Sequence, residues 1–268
     1  MDLTTLTEVR VARTRADVVV DDRVRPLAGG TWLYSERQDH LTGLVDLMGL
    51  DWTPWEQRED GSLSLAATCT IAQLVAIPPA PSRVALPLFR ECAESLLQSF
   101  KIWNTATLGG NIATALAAGA LIGLTATLDA ELVIWTPDGG ERRMLVTEYV
   151  LGQQATAIRP GEVIRSIEIP QHAMAARTAF RRIALSPLGR AGTVVAGRTA
   201  GHGGLIICVT GGTTRPEVLR FDSPPSPAAL QQAMHGIRTW FTDAHGAADW
   251  RRAMSARFAE QIRSELRS

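Results

Sequence analysis

Thr107-Leu108-Gly109-Gly110-Asn111-Ile112-Ala113 is the stretch whose reading decides the fold. It has an earlier counterpart in Leu27-Ala28-Gly29-Gly30-Thr31. Each is a Gly-Gly pair beside a hydroxyl residue. Paired glycines let backbone N–H groups approach an anion, because no Cβ stands in the way. Successive N–H groups in such a turn form a nest that favours phosphate oxygens, and two nests can grip a pyrophosphate from two sides. The same pair also marks a plain tight turn. Gly139-Gly140, Gly203-Gly204 and Gly211-Gly212 recur in the chain, so the signal lies in the whole motifs and in the order of segments around them.

Bulk composition narrows the function classes. With 46% hydrophobic and 20% charged residues the chain is ordinary for a globular protein, and 268 residues allow one large domain or two to three smaller ones. Lysine plus arginine and aspartate plus glutamate both number 27, so no net charge points to nucleic acid or a membrane surface. Cys69, Cys92 and Cys208 lie far apart without C-x-x-C spacing, which argues against an iron–sulfur cluster or structural zinc held by this chain. Their odd number, with no basic and apolar leader at Met1-Asp2-Leu3-Thr4, fits a reducing cytosol and a cytoplasmic location. The longest apolar stretch, 112–126, is broken by Gly119 and Gly123, so no membrane span is expected.

The pattern of segments predicts an α+β chain. Helices are expected over 14–21, 87–100, 118–128, 227–234 and 248–266, with a helical turn at 32–35. In the second of these, Leu88, Phe89, Cys92, Leu96 and Phe100 form the apolar face. Thr70 reads as an N-cap. Asp60-Gly61 and Asp138-Gly139 mark hairpins, flanked by strands at 55–58 and 63–67 and at 131–135 and 142–146. Further strands are expected at 44–47 and 163–169. After Pro170 the pattern changes to four short strands at 178–184, 193–198, 204–210 and 216–221, which suit an antiparallel meander. A domain boundary is placed near 170–178. Residues 102–106 lead into the second Gly-Gly motif, read as a loop. His40, His172, His202, His235 and His245 are scattered without metal spacing, and Ser186 lacks a G-x-S-x-G context. Arg181, Arg182, Arg190 and Arg198 read as a partner interface or a solvated sheet face. Arg251, Arg252, Arg257 and Arg263 read as the wet side of a docking helix.

Taken in order, the two Gly-Gly motifs are followed by Leu128-Asp129-Ala130, Arg159-Pro160-Gly161-Glu162, Ile167-Glu168-Ile169-Pro170, Ala179-Phe180-Arg181-Arg182 and Trp250-Arg251-Arg252. This series resembles the FAD-binding medium subunit of the molybdenum hydroxylases, the xanthine dehydrogenase, aldehyde oxidoreductase and carbon monoxide dehydrogenase group. The resemblance implies a PCMH-like FAD-binding domain over 1–172, in two subdomains of about 1–50 and 51–172. A C-terminal domain over 173–268 then pairs an antiparallel sheet with helices. It implies that electrons pass from [2Fe-2S] clusters of a small subunit through FAD to NAD or another acceptor, while a large subunit holds molybdopterin. The FAD diphosphate is expected against Leu27, Ala28, Gly29, Gly30, Thr31 and Trp32 and against Thr107, Gly109, Gly110, Asn111 and Thr114. Ile164 offers its backbone, and Arg181 approaches the isoalloxazine. The flavin performs the electron chemistry, so no general acid, base or nucleophile is assigned.

The chain departs from the family pattern at Trp32, often acidic or small and polar, and at Trp103, often basic. It also departs at Ala120, where many members carry a ribose-binding aspartate. Losing that carboxylate removes about 1–2 kcal/mol of hydrogen bonding. Trp32 and Trp103 read either as cofactor contacts or as packing of a subdomain seam. Two rival functions follow: a non-catalytic assembly subunit with a degenerate FAD site, and a stand-alone flavin reductase or oxidase.

Overall fold

β1 (Glu8–Val11), β2 (Val24–Leu27) and β3 (Gly43–Asp46) form a parallel sheet with β3 in the middle. Leu44 and Val45 are both fully buried, as a central parallel strand covered on two faces requires. The computed structural model describes residues 3–95, 100–186 and 189–267. The helix expected over 14–21 is reduced to one 3₁₀ turn, Arg15–Asp17. The Asp17 carboxylate accepts from the Arg13 and Thr14 N–H groups at 2.8 and 2.7 Å, closing the turn. The β-branched run Val18-Val19-Val20 then gives no reason to continue it. Residues 31–35 form turns, with the Tyr34 N–H donating to the Gly30 carbonyl.

A second sheet is built from β4 (Trp55–Gln57), β5 (Leu63–Ala66), β6 (Glu131–Trp135) and β7 (Glu141–Leu145). After the short hairpin of β8 (Val150–Gly152) and β9 (Ala155–Thr156), β10 (Val163–Ile169) enters its centre, giving the antiparallel order β4-β5-β10-β6-β7. Alternation sorts its faces. Leu63, Leu65, Leu132, Ile134, Ile167 and Ile169 point into the main core. On the other face the Glu168 Oε1 accepts from Arg58, Ser64 and Ser166 at 3.0, 3.0 and 2.6 Å.

Helices α1 (Ile71–Val75), α2 (Leu86–Glu94), α3 (Phe100–Thr105), α4 (Leu108–Thr114) and α5 (Ala120–Thr127) lie with the core face of this sheet. Thr70 caps α1: its Oγ1 accepts from the Gln73 N–H at 3.2 Å, and Gln73 Oε1 accepts from the Thr70 N–H at 2.9 Å. Of the helix expected over 87–100, the part before Ser95 is formed as α2, and residues 96–99 lie outside the described residues. α2 ends at Glu94, and the Ser95 hydroxyl donates to the Cys92 carbonyl at 2.7 Å, competing with the helical ladder. Leu96 lies outside the described residues, and Phe100, expected on the apolar face, is 75% exposed at the start of α3. Val163 of β10 packs into the small core of the parallel sheet with Ala12, Val20, Val45 and Leu47, joining the two units.

After α6 (Val146–Tyr149) and α7 (Gln171–Met174) the chain forms β11 (Thr178–Ala184), β12 (Ala191–Thr199), β13 (Leu205–Thr210) and β14 (Glu217–Phe221), a sequential antiparallel meander. α8 (Pro227–Gly236) and α9 (Ala248–Arg267) cover one face through Leu230, Met234, Phe258 and Ile262. α5 covers the other, so β12 is buried from Ala191 to Arg198.

Two arginine expectations are overturned. Arg251 and Arg263 are not on a wet face. Arg251 is fully buried and donates to the Phe241 carbonyl at 3.0 Å, while Arg263 is 8% exposed. The spacing Arg251, Ser255, Phe258, Ile262 places the arginine on the buried stripe of α9. Arg198 is neither solvated nor an interface residue. It is 2% exposed, donates Nε–H to the Thr127 carbonyl at 2.8 Å, and pairs with Asp129 just beyond α5. Arg220 of β14 pairs with the other Asp129 oxygen at 2.5 Å. Burial alone would raise the Asp129 carboxyl; the Arg220 hydrogen bond and the Arg198 charge outweigh it and hold the carboxyl below the usual range. Asp129 thus fastens the end of α5 to the C-terminal sheet. Among the described residues, no helix is long and apolar enough to cross a membrane.

Candidate functional site

The two Gly-Gly motifs converge. A Cβ on Gly29 would collide with the Thr105 carbonyl and stand 3.1 Å from Ala106 Cα, so the first loop rests on the residues just before Thr107. Gly30 has φ +67°, a left-handed conformation that favours glycine. Among the described residues, the N–H groups of Ala28, Gly29, Gly30, Thr31 and Trp32 donate to no acceptor. Five consecutive unused donors in a loop with left-handed backbone make a nest suited to an anion.

The second motif is not a loop. Gly109 and Gly110 form the first turn of α4, and the donors at its head are consumed inside the chain. The Leu108 N–H donates to the Cys69 carbonyl at 2.8 Å and the Gly109 N–H to the Ala67 carbonyl at 2.9 Å. Thr107 is the N-cap; its Oγ1 accepts from the Gly110 N–H at 3.1 Å. The glycines here serve close packing instead. A Cβ on Gly109 would lie 2.7 Å from the Ala67 carbonyl oxygen, so no side chain fits between α4 and the end of β5. A Cβ on Gly110 would meet only Thr107 Oγ1, at 2.9 Å.

Beside both motifs lies a cavity of about 360 Å³ between the parallel sheet and α4 with β10. One wall is Val20, Asp21, Asp22, Arg25, Pro26 and Ala28. The floor is Ala67, Gly109, Gly110 and Ala113. The opposite wall is the unbroken run from Ile158 to Ile164, with Leu47 and Tyr149 completing the lining. Of the residues expected to hold the cofactor, Ala28, Gly109, Gly110 and Ile164 line this cavity. Leu27 ends β2, and Gly29, Gly30, Thr31 and Trp32 stand in the adjoining loop. Thr107 caps α4 and Asn111 and Thr114 lie on it, and none of the three lines the cavity. Thr114 donates to the Gly110 carbonyl at 2.7 Å, whereas the buried Asn111 Oδ1 has no partner. Arg181 is elsewhere: β11 turns it onto α9, where it meets Glu265 at 2.5 Å and Gln261 at 3.3 Å. Trp103 packs against the main core, and Ala120 is buried at the start of α5, where no polar contact is offered.

Sequence reading missed four lining residues of chemical interest. Arg25 and Arg159 are exposed at the cavity, and among the described residues neither joins an ion pair. Both sat inside quoted or adjoining motifs but were read only as flanks of turns. Tyr149 is buried, and burial pushes its phenol up to about 12. Glu162 is 6% exposed and is forked by Arg142, Nε to Oε1 at 2.6 Å and Nη2 to Oε2 at 2.7 Å. Burial alone would raise the Glu162 carboxyl, but the Arg142 fork and the Arg159 N–H hold it below the usual range.

Residues 5–172 match the model of the FAD binding domain in molybdopterin dehydrogenase. The chain belongs to this family. Over 164 residues it is 27% identical to the nicotinate dehydrogenase FAD-subunit of Eubacterium barkeri, covering 59% of the chain. The chain spans about half the length of that relative, 54%. Its fold is that of quinoline 2-oxidoreductase from Pseudomonas putida 86 (TM-score 0.84, 21% identity, 100% of this chain and 98% of that one). Reconstituted CO dehydrogenase from Oligotropha carboxidovorans superposes equally well (TM-score 0.84, 22% identity, 100% and 99%). The PCMH-like α+β architecture expected for this FAD-binding family is the one observed.

The residues present fit the family's cofactor. The unused donors of 28–32 suit a diphosphate, and the Cβ-free floor at Gly109 and Gly110 leaves room beside it. Among the described residues, no group of three or more His, Cys, Asp or Glu is gathered to hold a metal ion.

Proposed function

We propose that this chain binds FAD and serves as the electron-transferring flavin subunit of a cytoplasmic molybdenum hydroxylase. In this reading a small partner carries [2Fe-2S] clusters, a large partner carries molybdopterin, and NAD or another acceptor takes the electrons. The observation that carries the reading is the run of five unused N–H donors from Ala28 to Trp32 beside the cavity. The bound flavin supplies the one- and two-electron chemistry. The chain's own residues bind and orient. The 28–32 donors take the phosphate oxygens, and Arg25 and Arg159 add positive charge. Val20, Leu47 and Ile158 exclude water, and Thr107 with Thr114 fixes the geometry of α4. The absence of cysteine clusters in the chain agrees with clusters held by a partner.

The test is an absorption spectrum of the purified chain after desalting and after addition of FAD. Bands near ~450 nm that persist through desalting support the reading; a protein that stays colourless with excess FAD overturns it. That negative result would favour the assembly-subunit alternative, for which buried Ala120, with no carboxylate for a ribose, is the supporting observation. Co-purification of an iron–sulfur chain and a molybdopterin chain separates both from a stand-alone flavoenzyme. Arg25→Gln and Arg159→Gln are each expected to weaken FAD binding about two- to fivefold at low salt, because exposed charges contribute modestly. The effect should fade in high salt, and titrations at two ionic strengths check it.

A further inference from the structure

Seven consecutive residues, Ile158 to Ile164, form one cavity wall, yet the first part of that run has no sheet partner to fix it. β9 ends at Thr156 and β10 begins at Val163. The Ala157 N–H donates to the Tyr149 carbonyl at 2.9 Å and the Glu162 N–H to the Arg159 carbonyl at 3.1 Å; beyond these backbone bonds, the segment is tied by one side-chain fork. Arg142 of β7 donates Nε–H and Nη2–H to the two Glu162 oxygens at 2.6 and 2.7 Å, and Nη2–H also to the Ala157 carbonyl at 2.8 Å. Glu162 Oε2 in turn accepts from the Arg159 N–H at 2.8 Å. One guanidinium and one carboxylate therefore tie residues 157, 159 and 162 to the neighbouring strand. The Arg142 side chain is 21% exposed and that of Glu162 2%. Gly161 has φ +81°, so the turn also needs its glycine.

We propose that Arg142 and Glu162 are positioning residues for the cofactor: from outside the cavity lining, Arg142 grips Glu162 and so sets the 157–162 wall at the distance the bound FAD requires. This rests on the FAD reading above. A lysine keeps the charge but cannot make the planar two-pronged contact. Glutamine keeps the shape of Glu162 but loses the charge-assisted acceptor.

The experiment compares the full-length wild-type chain with Glu162→Gln, Arg142→Lys and a control, Arg143→Lys. Arg143 pairs with Glu131 at 2.8 Å and lies outside the cavity lining. FAD affinity is read from flavin fluorescence, and amide hydrogen exchange is read on the apoprotein. In Glu162→Gln and Arg142→Lys, FAD binding is expected to weaken by about tenfold. Faster exchange should be confined to about 157–162, and the control should match wild type. Affinity within threefold of wild type in both fork variants overturns the proposal. So does exchange that rises across the whole domain, since that marks a general stability role. Should Glu162→Gln not fold, Arg142→Lys carries the test alone. If wild type itself binds no FAD, the functional reading falls, while local exchange at 157–162 still reports whether the fork fixes the wall.

Discussion

Asp129→Ala is expected to lower the unfolding free energy by about 3–5 kcal/mol, the usual cost of leaving a buried partner charge uncompensated. The buried partner is Arg198, 2% exposed and lodged between α5 and the C-terminal sheet. Arg220, whose side chain is 46% exposed, adds little of this because water screens it. The effect has a pH signature. The Asp129 carboxyl is held below its ordinary value, so its ionised form stabilises the fold fully above the unfolded-state value of about 3.9. That contribution is lost as pH falls through the lower folded-state value. Urea unfolding of wild type and Asp129→Asn should show a constant gap above about pH 5 that narrows below about pH 4. A gap under 1 kcal/mol at neutral pH, or one that does not narrow in acid, would contradict the latch.

Gly29→Ala is expected to cost the cofactor rather than the fold. Its Cβ would strike the Thr105 carbonyl, a backbone atom that cannot rotate away. The 28–32 loop is the softer side of the contact, since its N–H groups make no hydrogen bonds within the described chain. It should therefore swing off α3 and carry its donors out of register with the phosphates. An overpacking term of about 1–3 kcal/mol corresponds to FAD affinity reduced roughly 5- to 150-fold. Gly139→Ala is the matched control: it carries backbone strain at φ +87°, but its Cβ would meet nothing within 4 Å, and it lies outside the cavity lining. FAD titrations together with thermal melts decide the matter. Unchanged affinity with a large drop in melting temperature would mean that the loop is rigid and the strain is stored in the fold.

How much of this was legible beforehand depends on the range of the forces involved. The hairpin at Asp60-Gly61, the Thr70 cap and the C-terminal meander follow from turn chemistry and period-two alternation, which act between near neighbours. The helix expected over 14–21 failed because an Asp17 side chain closed the turn locally and β-branched residues followed. The nest expected at Gly109-Gly110 failed for a longer-range reason. Whether an N–H is free depends on what packs against it, and the Ala67 and Cys69 carbonyls come from far back in the chain, before α1. Arg198 and Arg251 carried the same ambiguity. An arginine in a strand or helix reads as solvated until a distant carboxylate or carbonyl is brought to it.

The sequence by itself determined the order of motifs, hence the FAD-binding family and its α+β architecture, because those motifs are local backbone requirements written in glycine, proline and hydroxyl residues. Only the tertiary structure decided which glycine pair keeps its donors. It left those of Ala28 to Trp32 unused and consumed those at the head of α4. The physical reason is that a backbone donor has one strong bond to give, and whether a neighbouring carbonyl claims it is settled by packing across the chain.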